Sequence, residues 1–214
     1  MKKKNVFVCS KTLIVLFFNL LIITAYSQQD SLVDGNGRVY PVTKIGNQVW
    51  MTQNLAYYMP GKTRGVTFDK DDLQDTNKVG YYYTYNAAMN ACPTGWHLPS
   101  DDEWKQLEIY LGMKESITKK KKKYRGEPVG AKLKSTEGWK NSTNGTNESG
   151  FNAVPAGWAG TIIYDRETVV CFWTATRVDD MDVWVRKLGT GDGVYRGKFT
   201  DFSRISVRCV KDKE

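Results

Sequence analysis

One histidine stands in the whole chain, His97, inside the run Gly95-Trp96-His97-Leu98-Pro99-Ser100-Asp101-Asp102-Glu103-Trp104. A hydroxyl and three carboxylates within seven residues of an imidazole are the group types that general acid–base or nucleophilic catalysis uses. A lone histidine excludes a multi-histidine metal centre. Any Ser-His-Asp or Cys-His arrangement would have to use His97. The neighbours of His97, however, read as parts of a helix start. Ser100 followed three residues on by Glu103 is a capping box. Asp101 and Asp102 fall in the first turn, where the helix dipole favours negative charge. Pro99 disfavours helix at Leu98 and so sets the boundary. Trp104, Leu107 and Leu111 repeat on one helical face, and Gly112 stops the helix. His97 is therefore expected to be a buried or half-buried hydrogen-bonding group. His97, Ser100, Glu103 and Trp104 form a structural motif, and no catalytic residue is assigned. Neither a phosphate-cradling glycine loop nor a dinucleotide fingerprint occurs.

The elements around this motif follow from the rest of the chain. Residues 1–27 have the order of a secretory signal peptide: Lys2, Lys3 and Lys4, then a short apolar core, then Ala25-Tyr26-Ser27. The apolar run is short for a membrane span. Cleavage would leave a brief polar lead at 28–33 and one domain at 34–212, enough for a real core. It would also lower the net charge from +8 to +4. Five of the remaining lysines, Lys119, Lys120, Lys121, Lys122 and Lys123, form one run, and without them the balance is −1. The basic character is thus a leader plus one solvated loop, which argues against a nucleic-acid partner. Export permits disulfides, and Cys92, Cys171 and Cys209 allow one bridge with one thiol left over.

Asp34-Gly35-Asn36-Gly37 is a turn without the closing glutamate of a calcium loop, since Ile45 stands there. Strands are expected at 39–45 and 48–51 around the hairpin turn Gly46-Asn47, with Pro41 at an edge or bulge. The segment 59–78 reads as loop and 80–83 as a strand. Thr84 is read as a cap for a short helix at 85–92 with Ala88, Met89 and Cys92 on one face. Residues 113–131 read as an insertion, 132–134 as a short strand and 141–150 as a polar loop. From 151 the pattern is short strands, at 151–153, 161–164, 169–174, 183–188, 194–196 and 205–210. Val183 and Val185 alternate with Trp184 and Arg186 at period two. No internal repeat is found.

The ordered set of motifs is similar to the Fibrobacter succinogenes major paralogous domain. It comprises Ile45-Gly46-Asn47-Gln48-Val49-Trp50-Met51 with Asn54-Leu55, then the run from Tyr83 through His97 to Ser100, with Glu103-Trp104. Lys132-Leu133-Lys134-Ser135, Gly138-Trp139, Gly145 through Ala153, Phe172-Trp173 and Ser206-Val207-Arg208-Cys209-Val210-Lys211-Asp212 complete it. The resemblance implies an exported or surface protein of a bacterium, in a family without an established activity. More distantly, the His97–Trp104 run resembles the formylglycine-generating, sulfatase-modifying enzymes, which share the C-type lectin-like architecture. The fold implied is α+β, with two helices near 84–92 and 100–111, short antiparallel strands and a loop-rich C-terminal half. The resemblance also implies a Cys92–Cys209 disulfide. Cys171 departs from the family pattern and reads as a small buried hydrophobe.

Two classes of function follow. The first is a non-catalytic binding or interaction module for a glycan or a cell-envelope protein. Its candidate ligand-binding residues are Trp158, Tyr164, Arg177, Asp179, Asp180 and Trp184, because aromatic faces with a few aimed polar groups suit such ligands. Trp173 and Trp184 lie inside strands and also read as core. The sugar-binding motifs of calcium-dependent lectins are absent. The second class is a formylglycine-generating-like enzyme, which would need paired cysteine thiolates to hold copper, and the cysteine count fails that requirement. A structural subunit of a surface assembly is a further alternative. No cofactor, no metal and no membrane insertion after leader removal are expected.

Overall fold

The computed structural model describes residues 31–58, 66–67, 77–121 and 123–213. The expected leader at 1–27 and most of the expected loop at 59–78 lie outside the described residues.

The chain begins with β1 (Ser31–Val33) and β2 (Val39–Ile45), joined by the Asp34 turn. The expected polar lead therefore contributes a strand. Asp34 Oδ1 accepts from the Asn36 and Arg38 amides, and its Oδ2 accepts from the Tyr40 hydroxyl at 2.7 Å. These bonds use the carboxylate to close a turn. β2 returns through Gly46-Asn47 into β3 (Gln48–Met51) in the expected register, Ile45 opposite Gln48. Pro41 is neither at an edge nor in a bulge. It sits where β2 changes partner from β1 to β3, and its carbonyl accepts from Thr52 just past the end of β3. A missing N–H costs little where the ladder stops.

After β4 (Val66–Thr67) and β5 (Tyr82–Tyr83) comes α1 (Tyr85–Ala88), one turn shorter than the sequence pattern predicts. Thr84 makes no side-chain cap bond, and Met89 is 47% exposed, so the buried face is Ala87, Ala88 and Ala91. β6 (Trp96–His97) leads into α2 (Asp101–Tyr110), where every sequence signal is realised. The Ser100 hydroxyl accepts from the Glu103 amide, and Glu103 accepts from the Ser100 amide. Leu111 caps the helix, and Gly112 follows at φ +110.

The expected insertion at 113–131 is largely ordered. It contains α3 (Glu115–Thr118), β7 (Lys123–Arg125) and the first turn of α4 (Val129–Leu133). Thus 132–134 is mostly helix, not strand, and only Lys134 makes a bridge, to Ala153. The alternation of two lysines around one leucine fits either element when the run is three residues long. The C-terminal half holds β8 (Trp158–Ala159), β9 (Ile163–Tyr164), β10 (Val170–Arg177), β11 (Asp182–Leu188), β12 (Val194–Thr200) and β13 (Val210–Lys211). The expected strands at 151–153 and 205–210 reduce to isolated bridges and the β13 pair.

Two sheets organise the molecule, in the orders β1-β2-β3-β13-β6 and β10-β11-β12-β7. Every ladder between named strands is antiparallel among the described residues, and the fold is α+β. The four-stranded sheet lies between two cores. One holds Cys171, Trp173, Val183 and Val185 with α1 and the disulfide. The other holds Val170, Phe172, Leu188 and Val194 with Trp50, Trp104 and Leu107. The period-two pattern of β11 predicts one wet face, but both faces are covered. The face carrying Arg186 is buried against α2.

Candidate functional site

His97 bridges two carboxylates. Its Nε2 lies 2.9 Å from Glu103 Oε1 and its Nδ1 2.5 Å from Asp212 Oδ1, while the side chain is half-exposed. Partial burial pulls its pKa down, but the hydrogen bonds and charges of Asp212 and Glu103 outweigh that and hold it above the ordinary value. Glu103 also accepts from the Ser100 amide and hydroxyl, so Ser100 is turned toward the cap. The imidazole therefore ties the start of α2 to the end of β13. Both ring nitrogens are committed to this, and no serine or cysteine among the described residues bonds to it.

Behind this motif α2 presents Asp101 and Glu108 to the four-stranded sheet. Asp101 accepts from Arg186 Nη1 at 2.8 Å, from Arg196 Nε at 2.8 Å and Nη2 at 2.7 Å, and pairs with Lys105 at 2.7 Å. Glu108 accepts from Arg186 Nε at 2.6 Å and Arg125 Nη2 at 2.7 Å. Asp101, Glu108, Arg125, Arg186 and Arg196 are all buried. Burial raises the Asp101 pKa, yet the hydrogen bond from Arg196 and the charge of Arg186 hold it far below the usual carboxylate range. Arg186 and Arg196 stand directly opposite each other in the ladder, a like-charge pair that only such acids make tolerable. One sign of this network is visible in the sequence: acids seven residues apart on a helix whose core face lies beside them.

Another buried cation has no carboxylate partner among the described residues. Arg208 is held by Asn54 Oδ1 at 2.7 Å and by the carbonyls of Met51, Phe151 and Asn152. It lies over the Phe151 ring at 4.6 Å, and burial lowers its pKa to about 9. Around it Trp50, Trp104, Phe151 and Phe172 make a cluster with centroids 5.1 to 5.7 Å apart. The motif segments around residues 50, 54, 104, 151, 172 and 208 thus converge on one core.

The Cys92–Cys209 bridge is present and closes a sequence separation of 117. Cys171 is a free, fully buried thiol whose pKa burial pushes up to about 12, so it is inert as a nucleophile.

The candidate ligand-binding residues divide into three places. Trp158 and Tyr164 pair in the β8–β9 hairpin and stack at 4.6 Å with planes 19° apart. Trp158 Nε1 donates to Asp165 Oδ2 at 3.0 Å, and the Tyr164 hydroxyl meets Thr161 Oγ1 at 3.1 Å. Gly157, at φ +75, admits this hairpin, since a Cβ there would lie 2.1 Å from the Tyr164 carbonyl. Ile162 at the tip is 65% exposed and Tyr164 36%.

Arg177, Asp179 and Asp180 close the β10–β11 hairpin. Arg177 donates to the Asp180 carbonyl and to Asp201 Oδ2, both at 2.9 Å, and lies over the Tyr85 ring. Asp179 accepts from the Met181 and Asp182 amides. Two of the three thus serve the turn, and the exposed Asp180 carboxylate makes no hydrogen bond or ion pair among the described residues. The turn at 201–204 joins the two hairpins: Asp201 takes Arg177, and the Arg204 carbonyl accepts from Ala159.

Trp184 stands apart from both. It is only half-buried, so it is not a core residue, and the Arg196 guanidinium covers its ring at 3.5 Å. Lys119, Lys120 and Lys121 are exposed and Lys123 lies exposed in β7, while Lys122 lies outside the described residues.

Among the described residues, no group of three or more His, Cys, Asp or Glu is arranged to hold a metal ion, and no helix is long and apolar enough to cross a membrane. No curated protein and no solved structure matches the chain. A model of the Fibrobacter succinogenes major domain matches residues 43–211, most of the chain and all of the converging motifs, and the chain belongs to that family.

Proposed function

We propose that this is an exported, non-catalytic binding module of C-type lectin-like architecture, whose ligand is a glycan or a cell-envelope protein. The observation that carries the reading is the Trp158–Tyr164 stack. It is an aromatic pair held rigid by glycine-dependent backbone and two side-chain hydrogen bonds, on a hairpin whose tip is open to water. Pre-ordered aromatics lose little entropy on binding. Phe202, on the turn beside the hairpin, extends the exposed surface. The non-catalytic part rests on how the reactive groups are spent. His97, Ser100 and Glu103 are bonded to one another and to Asp212, and a formylglycine-generating-like site would find Cys92 and Cys209 already bridged. A disulfide inside the fold accords with export. The test is a glycan array probed with the purified protein, followed by calorimetry on the strongest hit. Trp158→Ala is expected to weaken binding about tenfold or more. A hit that Trp158→Ala and Tyr164→Ala leave unchanged would remove the hairpin from the account.

A structural role in an assembly has one observation of its own. Among the described residues β1 is the outer strand of its sheet, and its terminal pair Val33–Val39 is 50% and 59% exposed. Such an edge suits strand addition by another chain. Specific capture of one envelope protein, lost on Val39→Lys, would favour that role.

A further inference from the structure

A groove of about 600 Å³ opens between the tip of the β2–β3 hairpin and the outer side of α2. Ile45, Gly46, Asn47, Gln106, Ile109 and Tyr110 line it, and no lining residue is charged. Gln48, also in the lining, is already used: it donates to the Glu103 carbonyl and accepts from the Trp50 indole. The amides of Asn47 and Gln106 have no hydrogen-bond partner among the described residues. Tyr110 is 65% exposed, and its ring edge rests on Gly46, where a Cβ would come within 2.9 Å of it. Gly46 at φ +62 is what a type II′ turn requires at its first central position, so the turn and the ring position depend on the same glycine.

We propose that this groove binds a neutral saccharide. This rests on the binding-module reading and adds to it a second site and a ligand class. A sugar ring offers an apolar C–H face and a rim of hydroxyls. The Tyr110 ring and Ile109 meet the first, and the donor–acceptor amides of Asn47 and Gln106 meet the second. An ionic ligand would lose hydration here without gaining a counter-charge. A peptide binding as an added strand would need a free edge, but β2 is paired to β1 and β3, and β3 to β13. α2, which carries Gln106 and Tyr110, is fixed by its buried acids, so the groove is already in shape before a ligand arrives.

The test is calorimetric titration of the purified protein with neutral linear hexasaccharides of glucose, mannose and N-acetylglucosamine, in parallel with Tyr110→Ala, Gln106→Ala and Trp158→Ala. The expected result is binding that falls about tenfold or more in Tyr110→Ala and is weakened in Gln106→Ala, with melting temperatures unchanged. That loss supports the groove whether or not Trp158→Ala also weakens binding. Binding lost in Trp158→Ala alone overturns the groove and leaves the hairpin reading standing. Binding of only acidic glycans or only peptides on a wider panel overturns the neutral-saccharide assignment. No binding of any kind by the wild-type protein overturns both readings.

Discussion

His97 shows how a residue of catalytic type becomes a fastener. Its two nitrogens join the cap of α2 to the tail after β13, and the bond to Asp212 spans 115 residues of chain. Its folded pKa lies above the unfolded value, so the stability it adds is fully present below pH ~6.5 and is lost as pH rises through the folded pKa. The side chain and its partner Asp212 are well exposed, so water screens the pair and its worth stays below about 1 kcal/mol. Melting of the wild type across pH 6 to 9 should therefore decline by more than that of His97→Gln, and equal slopes would refute the role. The cap partner Glu103 was legible in the sequence by spacing, but Asp212 was not, because nothing local ties residue 97 to residue 212. Arg208 was hidden for the same reason. A lone arginine between Val207 and Cys209 looks like a solvent-facing strand residue until Asn54 and three carbonyls close around it.

At the scale of elements, α2 was the most legible part of the chain, since cap, dipole, core face and stop all agree there. What holds it to the sheet was not legible, because Arg186 and Arg196 sit at positions that alternation assigns to water. The two effects differ in size. Loss of the Ser100 cap costs about 1 kcal/mol. Breaking a buried ion pair from one side costs roughly 3–5 kcal/mol. Urea unfolding should accordingly show Asp101→Asn destabilised well beyond Ser100→Ala. Equal losses would mean that the cap, not the charge network, seats the helix. The short elements were misread where local pattern is weakest. Residues 132–134 turn as the end of α4, and the chain after Thr118 joins the sheet as β7 because Arg125 reaches Glu108 and the Val194 carbonyl.

For the whole molecule, the motifs that identify the family are spent on architecture. They supply four aromatic rings packed at tilted and edge-to-face angles, one carbonyl-held arginine, one helix cap and one disulfide. In the chain-entropy model that bridge limits the unfolded chain by about 4–5 kcal/mol. The two cores flanking one sheet leave Ile162 and Tyr164 of the β8–β9 hairpin and Ile109 and Tyr110 on the outer side of α2 exposed. The candidate residues were legible as aromatic and charged loop positions, and the structure separates them by use. Trp158 and Tyr164 stack as a pair, with Tyr164 exposed and Trp158 half-buried against the core beside the disulfide, Arg177 and Asp179 close a turn, and Trp184 covers Arg196. The division between fold and function is tested most directly by measuring melting temperature and affinity for the strongest array ligand side by side in His97→Gln and Trp158→Ala. The expected result is a lower melting temperature with unchanged affinity for the first, and for the second a loss of affinity about tenfold or more, measured at a temperature where both proteins stay folded. Loss of affinity in His97→Gln without a change in melting temperature would contradict it.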